Sequence, residues 1–133
     1  MNGEKGVVEL LRKAGYPEKA IDYYVRKLNV GIIEGAEAVD SFTGLCGDSM
    51  RVYLKVEGGV IKDAKFQAIG CAGAFASGSA LTEMVKEKTL KVAKKITEHD
   101  VINDLERLPG PKLHCTRLAI DALRKSIESY MKR

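Results

Sequence analysis

No apolar run in this sequence approaches the roughly 18 residues that a membrane-spanning helix needs, so membrane insertion is not expected. A leader with an apolar core and a small-residue cleavage site is also missing. Met1-Asn2-Gly3-Glu4-Lys5 opens straight into a polar amphipathic stretch, which makes the cytoplasm the expected compartment. Cysteine is scarce and odd in number, at three. That argues against a closed disulfide framework, and a cytosolic chain keeps its thiols reduced in any case. The cysteines form no short CxxC pairs, so the spacing of a zinc ribbon or finger is absent. No basic stripe interleaved with aromatics is present and the net charge is only +4, which argues against a nucleic-acid partner. Internal repeats and low-complexity linkers are absent as well. What is there is a 133-residue chain, 45% apolar and 30% charged, sized for a single domain over residues 1–133 with its own core.

The pattern begins with helices. Residues 4–14 carry Val7, Leu10, Leu11 and Ala14 at helical spacing, with Gly15 as the stop. A second helix is expected with Pro17 at its first position, Ala20, Ile21, Tyr24 and Leu28 on one stripe, and an end at Asn29-Val30-Gly31. Ala38 to Phe42 suits an edge strand. Val52, Leu54 and Val56 then alternate with Arg51, Tyr53 and Lys55, and Ala64, Phe66 and Ala68 alternate with Asp63, Lys65 and Gln67. Gly58-Gly59 between them predicts a hairpin from about Arg51 to about Ile69. Residues 72–86 read as a helix whose small first half permits close approach to a sheet or ligand. Thr89 can cap a short helix through Lys95, and Thr97-Glu98-His99-Asp100 resembles a capping box for the next. Leu108-Pro109-Gly110-Pro111 must end that helix. A last one presents Leu118, Ala119, Ala122, Leu123, Ile127 and Tyr130 as a broad apolar stripe.

Cys46 lies just before the first hairpin strand and Cys71 just after the second, so folding the hairpin brings both to one edge. Leu113-His114-Cys115, heading the last helix, is the third segment expected there. The candidate set is therefore Cys46, Asp48, Cys71, His114 and Cys115. Thiolates suit soft metals and iron–sulfur clusters, imidazole suits zinc or iron, and a carboxylate is a weaker, exchangeable ligand. Three cysteines with one of Asp or His would complete four ligands. Cys71 and Cys115 both fall at predicted helix N-termini, where free amides and the dipole favour a thiolate, while a neutral imidazole is favoured at His114. A lone cysteine in a cytosolic chain is more often a small buried hydrophobe. Cys115 beside His114 fits that bland role worst, Cys46 in a glycine-bounded loop fits it poorly, and Cys71 could be a tight packing contact. Asp48 could equally cap a turn. His99 is expected to be exposed and without a role.

At these residues the sequence closely resembles the IscU family of iron–sulfur cluster assembly scaffolds, also found as the N-terminal domain of NifU. The resemblance rests on Cys46-Gly47-Asp48-Ser49-Met50, on GVIKDAKF from Gly59 to Phe66, on Gly70-Cys71 followed by AGAFASGSALTEMVKEKTL, and on Leu108-Pro109 with Lys112-Leu113-His114-Cys115. It runs from about Tyr16 to the end. It implies an α+β fold, a small three-stranded antiparallel sheet packed against several helices. It further implies a non-catalytic scaffold in which Cys46, Cys71 and Cys115 hold a transient 2Fe-2S cluster, with Asp48 and His114 as labile ligands, iron as the incoming metal, and zinc able to occupy the cluster-free form. A cysteine desulfurase is the implied sulfur donor and Cys115 the persulfide acceptor. Apo iron–sulfur proteins and carriers are the implied recipients, with frataxin-like or chaperone partners and a homo-oligomer also compatible.

This chain departs from the family in three places. Gly110 stands within Leu108-Pro109-Gly110-Pro111-Lys112, where the family usually has Leu-Pro-Pro-Val-Lys for chaperone recognition. Arg26-Lys27-Leu28 replaces Asn-Pro-Arg before Asn-Val-Gly. Residues 1–15 have no counterpart and are expected to form a helical extension. The alternative reading is a zinc-dependent sulfur acceptor of the SufU type. Such chains usually carry an insertion between the second and last cysteines, whereas Cys71 and Cys115 are 44 positions apart, as in the uninserted branch.

Overall fold

A computed structural model describes residues 2–45 and 47–132, the side chains of residues 2–4 and 111 excepted. The elements run α1 (Asn2–Lys13), α2 (Glu18–Arg26), β1 (Ala38–Thr43), β2 (Ser49–Glu57), β3 (Val60–Ile69), α3 (Ala72–Val85), α4 (Leu90–Lys94), α5 (Glu98–Leu105), a 3-10 turn (Gly110–Lys112) and α6 (His114–Met131). The strands form an antiparallel sheet in the order β1-β2-β3, the α+β arrangement that the resemblance implies.

The alternation in β2 and β3 decides which face is buried. Met50, Val52, Leu54 and Val56 point inward from β2, and Ile61, Ala64 and Phe66 from β3. Ile61 and Ala64 have opposite parity, so an uninterrupted strand could not bury both. The pairing changes register between Lys55 and Val56, with Lys55 opposite Asp63 and Val56 opposite Ile61. Lys62 is the extra residue of this bulge, and it lets both apolar side chains reach the core. Helices α3 and α6 cover that inner face, α3 against β3 and α6 against β1 and β2.

The glycines of α3 serve this packing. A Cβ at Gly78 would come within 2.6 Å of the Phe66 ring, which is itself fully buried, so the helix lies closer to the strand than any other residue would allow. The five aliphatic residues predicted on the α6 stripe are buried, and Tyr130 packs beside them.

Two helix boundaries differ from expectation. Pro17 is the N-cap of α2 rather than its first helical residue, and α2 stops at Arg26, three residues before the predicted end. The stop is a left-handed Lys27 (φ 52°), a conformation lysine does not advertise, followed by a left-handed Asn29 (φ 62°), a residue type that adopts it more readily. The early stop frees Asn29 and Gly31 to pair with Phe66, through Phe66 N to Asn29 O at 3.0 Å and Gly31 N to Phe66 O at 2.9 Å. The outer edge of β3 is thereby partly covered. Asn29 also bonds Thr82 and Lys86, pinning the end of α2 to α3.

Both predicted caps form. The Thr89 hydroxyl accepts from Val92 N, and Thr97 with Asp100 makes a full capping box on α5. No helix among the described residues is long and apolar enough to cross a membrane.

Candidate functional site

The site lies at the open end of the β2–β3 hairpin. Ser49 pairs with Ile69, and Thr43 pairs with Ser49 on the other side, so the β1–β2 loop and the β3–α3 junction are neighbours. That loop is short and closed by Gly44 N to Asp48 O at 2.8 Å and Gly47 N to Gly44 O at 3.0 Å. Asp48 projects from it over Gly70, where an added Cβ would meet Asp48 Oδ2 at 3.0 Å. Cys46 lies outside the described residues, so the call for its side chain has no geometry to compare with.

Cys71 and Cys115 meet directly, with their sulfurs 3.6 Å apart. His114 is exposed at the head of α6, and its Nε2 stands 3.8 Å from Cys115 Sγ. Two sulfurs on one tetrahedral metal with bonds of about 2.3 Å would be about 3.8 Å apart, so the pair is spaced as metal ligands are. Among the described residues, however, no group of three or more His, Cys, Asp and Glu side chains closes around a single metal position. Four of the five expected residues therefore gather at one edge without forming a finished cage.

The two thiols are electrostatically unlike. Burial opposes ionisation of Cys71, but the Ala74 amide, the Cys115 thiol, the Gly73 amide and Lys112 together outweigh it, and its pKa falls below the ordinary 9.0. No regular capping hydrogen bond closes on Cys71 Sγ, so these amides act by proximity at the open start of α3. Cys115 is fully buried. Burial, then its hydrogen bond to Cys71 and the negative charge there, push its thiol up to about 12. The proton shared by this pair thus rests on Cys115. The expectation that the α6 dipole holds Cys115 as a thiolate is corrected here. Helix α6 continues from the 3-10 turn, whose amides already bond backwards through Lys112 N to Pro109 O and Leu113 N to Gly110 O. Burial of the sulfur, with Cys71 beside it, outweighs what the helix start offers.

Sequence reasoning missed Tyr16. It sits in the α1–α2 turn, 6% exposed, and a Cβ built on Gly73 would lie 3.4 Å from its Oη and 3.1 Å from Cys115 Sγ. Burial and the neighbouring Cys71 and Cys115 push its phenol up to about 12. A single aromatic in a turn carries no signal of such a contact. His99 is exposed on α5, as expected.

Beside His114 a cavity of about 500 Å³ is lined by Phe42, Leu45, Arg117 and Leu118. Leu45, Ile69 and Leu113 are exposed around the same edge.

Fold and site together define an α+β domain that presents two paired thiols, a chemistry suited to soft metals, at an open edge. The chain belongs to the NifU-like N terminal domain family, whose model matches residues 15–133, and so to the IscU/NifU group of iron–sulfur cluster assembly scaffold proteins. It is 44% identical over 119 residues to the iron–sulfur cluster assembly scaffold protein IscU 1 of Archaeoglobus fulgidus, an alignment covering 89% of this chain and 78% of that protein. It is 43% identical over 118 residues to the nitrogen fixation protein NifU of Azotobacter chroococcum mcd 1, covering 86% of this chain but 38% of that longer protein. Among solved structures it resembles FiSufU of the SUF system from Fervidobacterium Islandicum AW-1, with a TM-score of 0.70 and 27% identity over 84% of this chain and 96% of that one. Helix α1 lies before the matched region.

Proposed function

We propose that this chain, acting as one scaffold domain over residues 1–133 with α1 as an extension, assembles a transient 2Fe-2S cluster and passes it to apo-proteins. Cys46, Cys71 and Cys115 are the proposed thiolate ligands, and Asp48 and His114 compete for the remaining position. The observation that carries this reading is the Cys71–Cys115 sulfur pair, 3.6 Å apart at an edge shared with Asp48 and His114, in a chain of this family. A cluster meant to be handed on needs accessible ligands, at least one of them weak. An exposed imidazole and a carboxylate supply that. The scaffold itself turns over no small-molecule substrate, and its thiols suit a reducing compartment such as the cytoplasm.

Sulfur would arrive as a persulfide on a cysteine desulfurase. The Cys115 thiolate attacks the outer sulfur, the new S–S bond forms at Cys115, and the desulfurase cysteine leaves as its thiolate. Two electrons from an external reductant then release that sulfur as sulfide. The attack needs the thiolate, and burial makes Cys115 lose its proton reluctantly. Binding of iron across Cys71 and Cys115 would displace that proton, because coordinated thiols are deprotonated, so metal is proposed to precede sulfur. Zinc satisfies the same donors and would fill the cluster-free form.

Anaerobic reconstitution with iron, a cysteine desulfurase and cysteine tests this reading. Visible charge-transfer bands and the Mössbauer spectrum of a coupled iron pair are expected. If zinc stays bound, no cluster forms and sulfur accumulates on Cys115, the chain is a sulfur acceptor instead. Asp48→Ala should slow transfer to an apo-ferredoxin by about tenfold, since the exchangeable ligand is lost. An unchanged or faster transfer rate would remove Asp48 from that role.

A further inference from the structure

Formal charge is unevenly spread along this chain. Residues 86–95 hold five lysines against one glutamate, an excess of four, and the whole chain carries +4, so everything outside this stretch is balanced. The stretch contains α4, and the fold turns it into a fixed cationic face. Glu87 N bonds to Ile61 O at 2.7 Å, Ile61 N to Lys88 O at 2.8 Å and Leu90 N to Gly59 O at 3.0 Å, so the link into α4 is laced to the start of β3. Ala93 is buried, and Leu90 and Ile96 pack on the core. Lys88, Lys91, Lys94 and Lys95 are exposed, and none of them pairs with a carboxylate among the described residues. The acids nearest in sequence are already engaged, Glu83 with Lys86, Glu87 with Lys62 and Glu98 with Arg117. Lys91, Lys94 and Lys95 stand at i, i+3 and i+4, a crowding of like charge on one helix face that opposes the helix. The end of α4 has its complementary cation without them, since the Arg124 guanidinium donates to Lys94 O at 3.3 Å and Ile96 O at 3.2 Å.

We propose that this α4 face is a docking surface for an acidic protein, which meets the unpaired lysines with its own carboxylates. Charge complementarity of this kind sets encounter rate and orientation more than raw affinity, which suits a partner that comes and goes. A single-stranded nucleic acid would need aromatic platforms, and the stretch has no aromatic residue. A lipid surface would need a broad apolar face, and Val92 is the one large apolar side chain that α4 exposes. The face adjoins the closed end of the β2–β3 hairpin, whereas the sulfurs lie at its open end, a nine-residue strand away. A protein held here leaves the thiols free, so it tethers the chain and does not compete for metal or sulfur. The proposal is independent of the scaffold reading, and its test needs no cluster.

The probe is a fluorescent oligoglutamate peptide, titrated by anisotropy with the full chain. Binding should weaken steeply as salt rises, and amide shifts in the isotope-labelled chain should centre on residues 86–95. Changing Lys91→Glu, Lys94→Glu and Lys95→Glu together should lower the affinity about tenfold, and the three glutamine substitutions should lower it by less. Zinc affinity, measured by competition with a chromophoric chelator, should stay unchanged in both forms, which shows that the chain is folded and the sulfur edge intact. A control triple, Lys5→Glu, Lys13→Glu and Arg107→Glu, alters net charge equally at other exposed positions and should keep most of the binding. Equal losses in the two glutamate triples would overturn the proposal, as would no binding of the peptide by the unmutated chain. Tighter binding to phosphatidylserine vesicles or to duplex DNA than to the peptide would overturn it as well, by assigning the face to a different kind of partner.

Discussion

The starts of α3 and α6 face each other across 3.6 Å of sulfur and treat their cysteines in opposite ways. At α3 the chain arrives from a strand, and Cys71 is an extended N-cap with the Ala74 and Gly73 amides beside its sulfur. At α6 the chain arrives already coiled, through a 3-10 turn whose backbone bonds use the same kind of amide before Cys115 is reached. The first sulfur is half-buried with a lowered pKa, and the second is fully buried and held up at about 12. A helix start therefore stabilises a thiolate only if the sulfur keeps some contact with water. Position near the dipole is not enough.

The largest expected effect of this difference is on thiol reactivity. With the Cys71 pKa lowered by neighbouring amides and Cys115 raised by burial, the thiolate at neutral pH resides mainly on Cys71. In the metal-free chain, site-resolved mass spectrometry after brief iodoacetamide treatment should find Cys71 modified well before Cys115. Raising the pH should narrow the gap, because Cys115 gains thiolate only as the pH approaches its raised value. Equal rates at pH 7 would erase the contrast.

Gly73→Ala should have an intermediate effect. The added methyl would lie 3.1 Å from Cys115 Sγ and 3.2 Å from Lys112 Cβ, forcing the two helix starts apart. Alanine is the better helix former by about 1 kcal/mol, but overpacking at a tight contact costs about 1–3 kcal/mol, so a net loss is expected. Thermal unfolding and zinc competition should both register it. Unchanged zinc affinity would mean that the helix starts can separate freely.

The smallest effect sharpens the comparison with a third helix start. Thr97→Ala removes the hydroxyl half of the α5 capping box and should cost about 1 kcal/mol of stability with zinc affinity unaltered. The other half titrates. The Thr97 amide, with its hydroxyl, holds Asp100 below the ordinary 3.8, so that contribution is complete above 3.8 and disappears as the pH falls through the depressed value. At α5 the start of the helix serves stability, whereas at α3 its proposed service is to sulfur chemistry.

Much of this was legible in the residues. Period-two alternation marked the hairpin, Thr97 and Asp100 announced their box, and the hairpin alone put Cys46 and Cys71 at one edge, of which Cys46 lies outside the described residues. What escaped reading depended on long-range or cooperative geometry. The stop at Lys27 is a left-handed lysine where no glycine signals it, and it is stabilised by what Asn29 then reaches on α3. The acidity of Cys115 was misjudged because its complete burial against α3 and Cys71 depends on packing that no local pattern shows. The place of Tyr16 depends on contacts with residues more than fifty positions away, which no local pattern encodes.

The hairpin has a practical use at its other end. Gly58 and Gly59 are left-handed, and a side chain built on either would meet nothing within 4 Å. With a nine-residue β2 between them, this tip and the sulfurs stand about 30 Å apart at about 3.4 Å per residue. A fluorophore or affinity tag spliced between the two glycines would ride on the molecule as a distant reporter. Assembly could then be followed without any label near the sulfurs it is meant to watch.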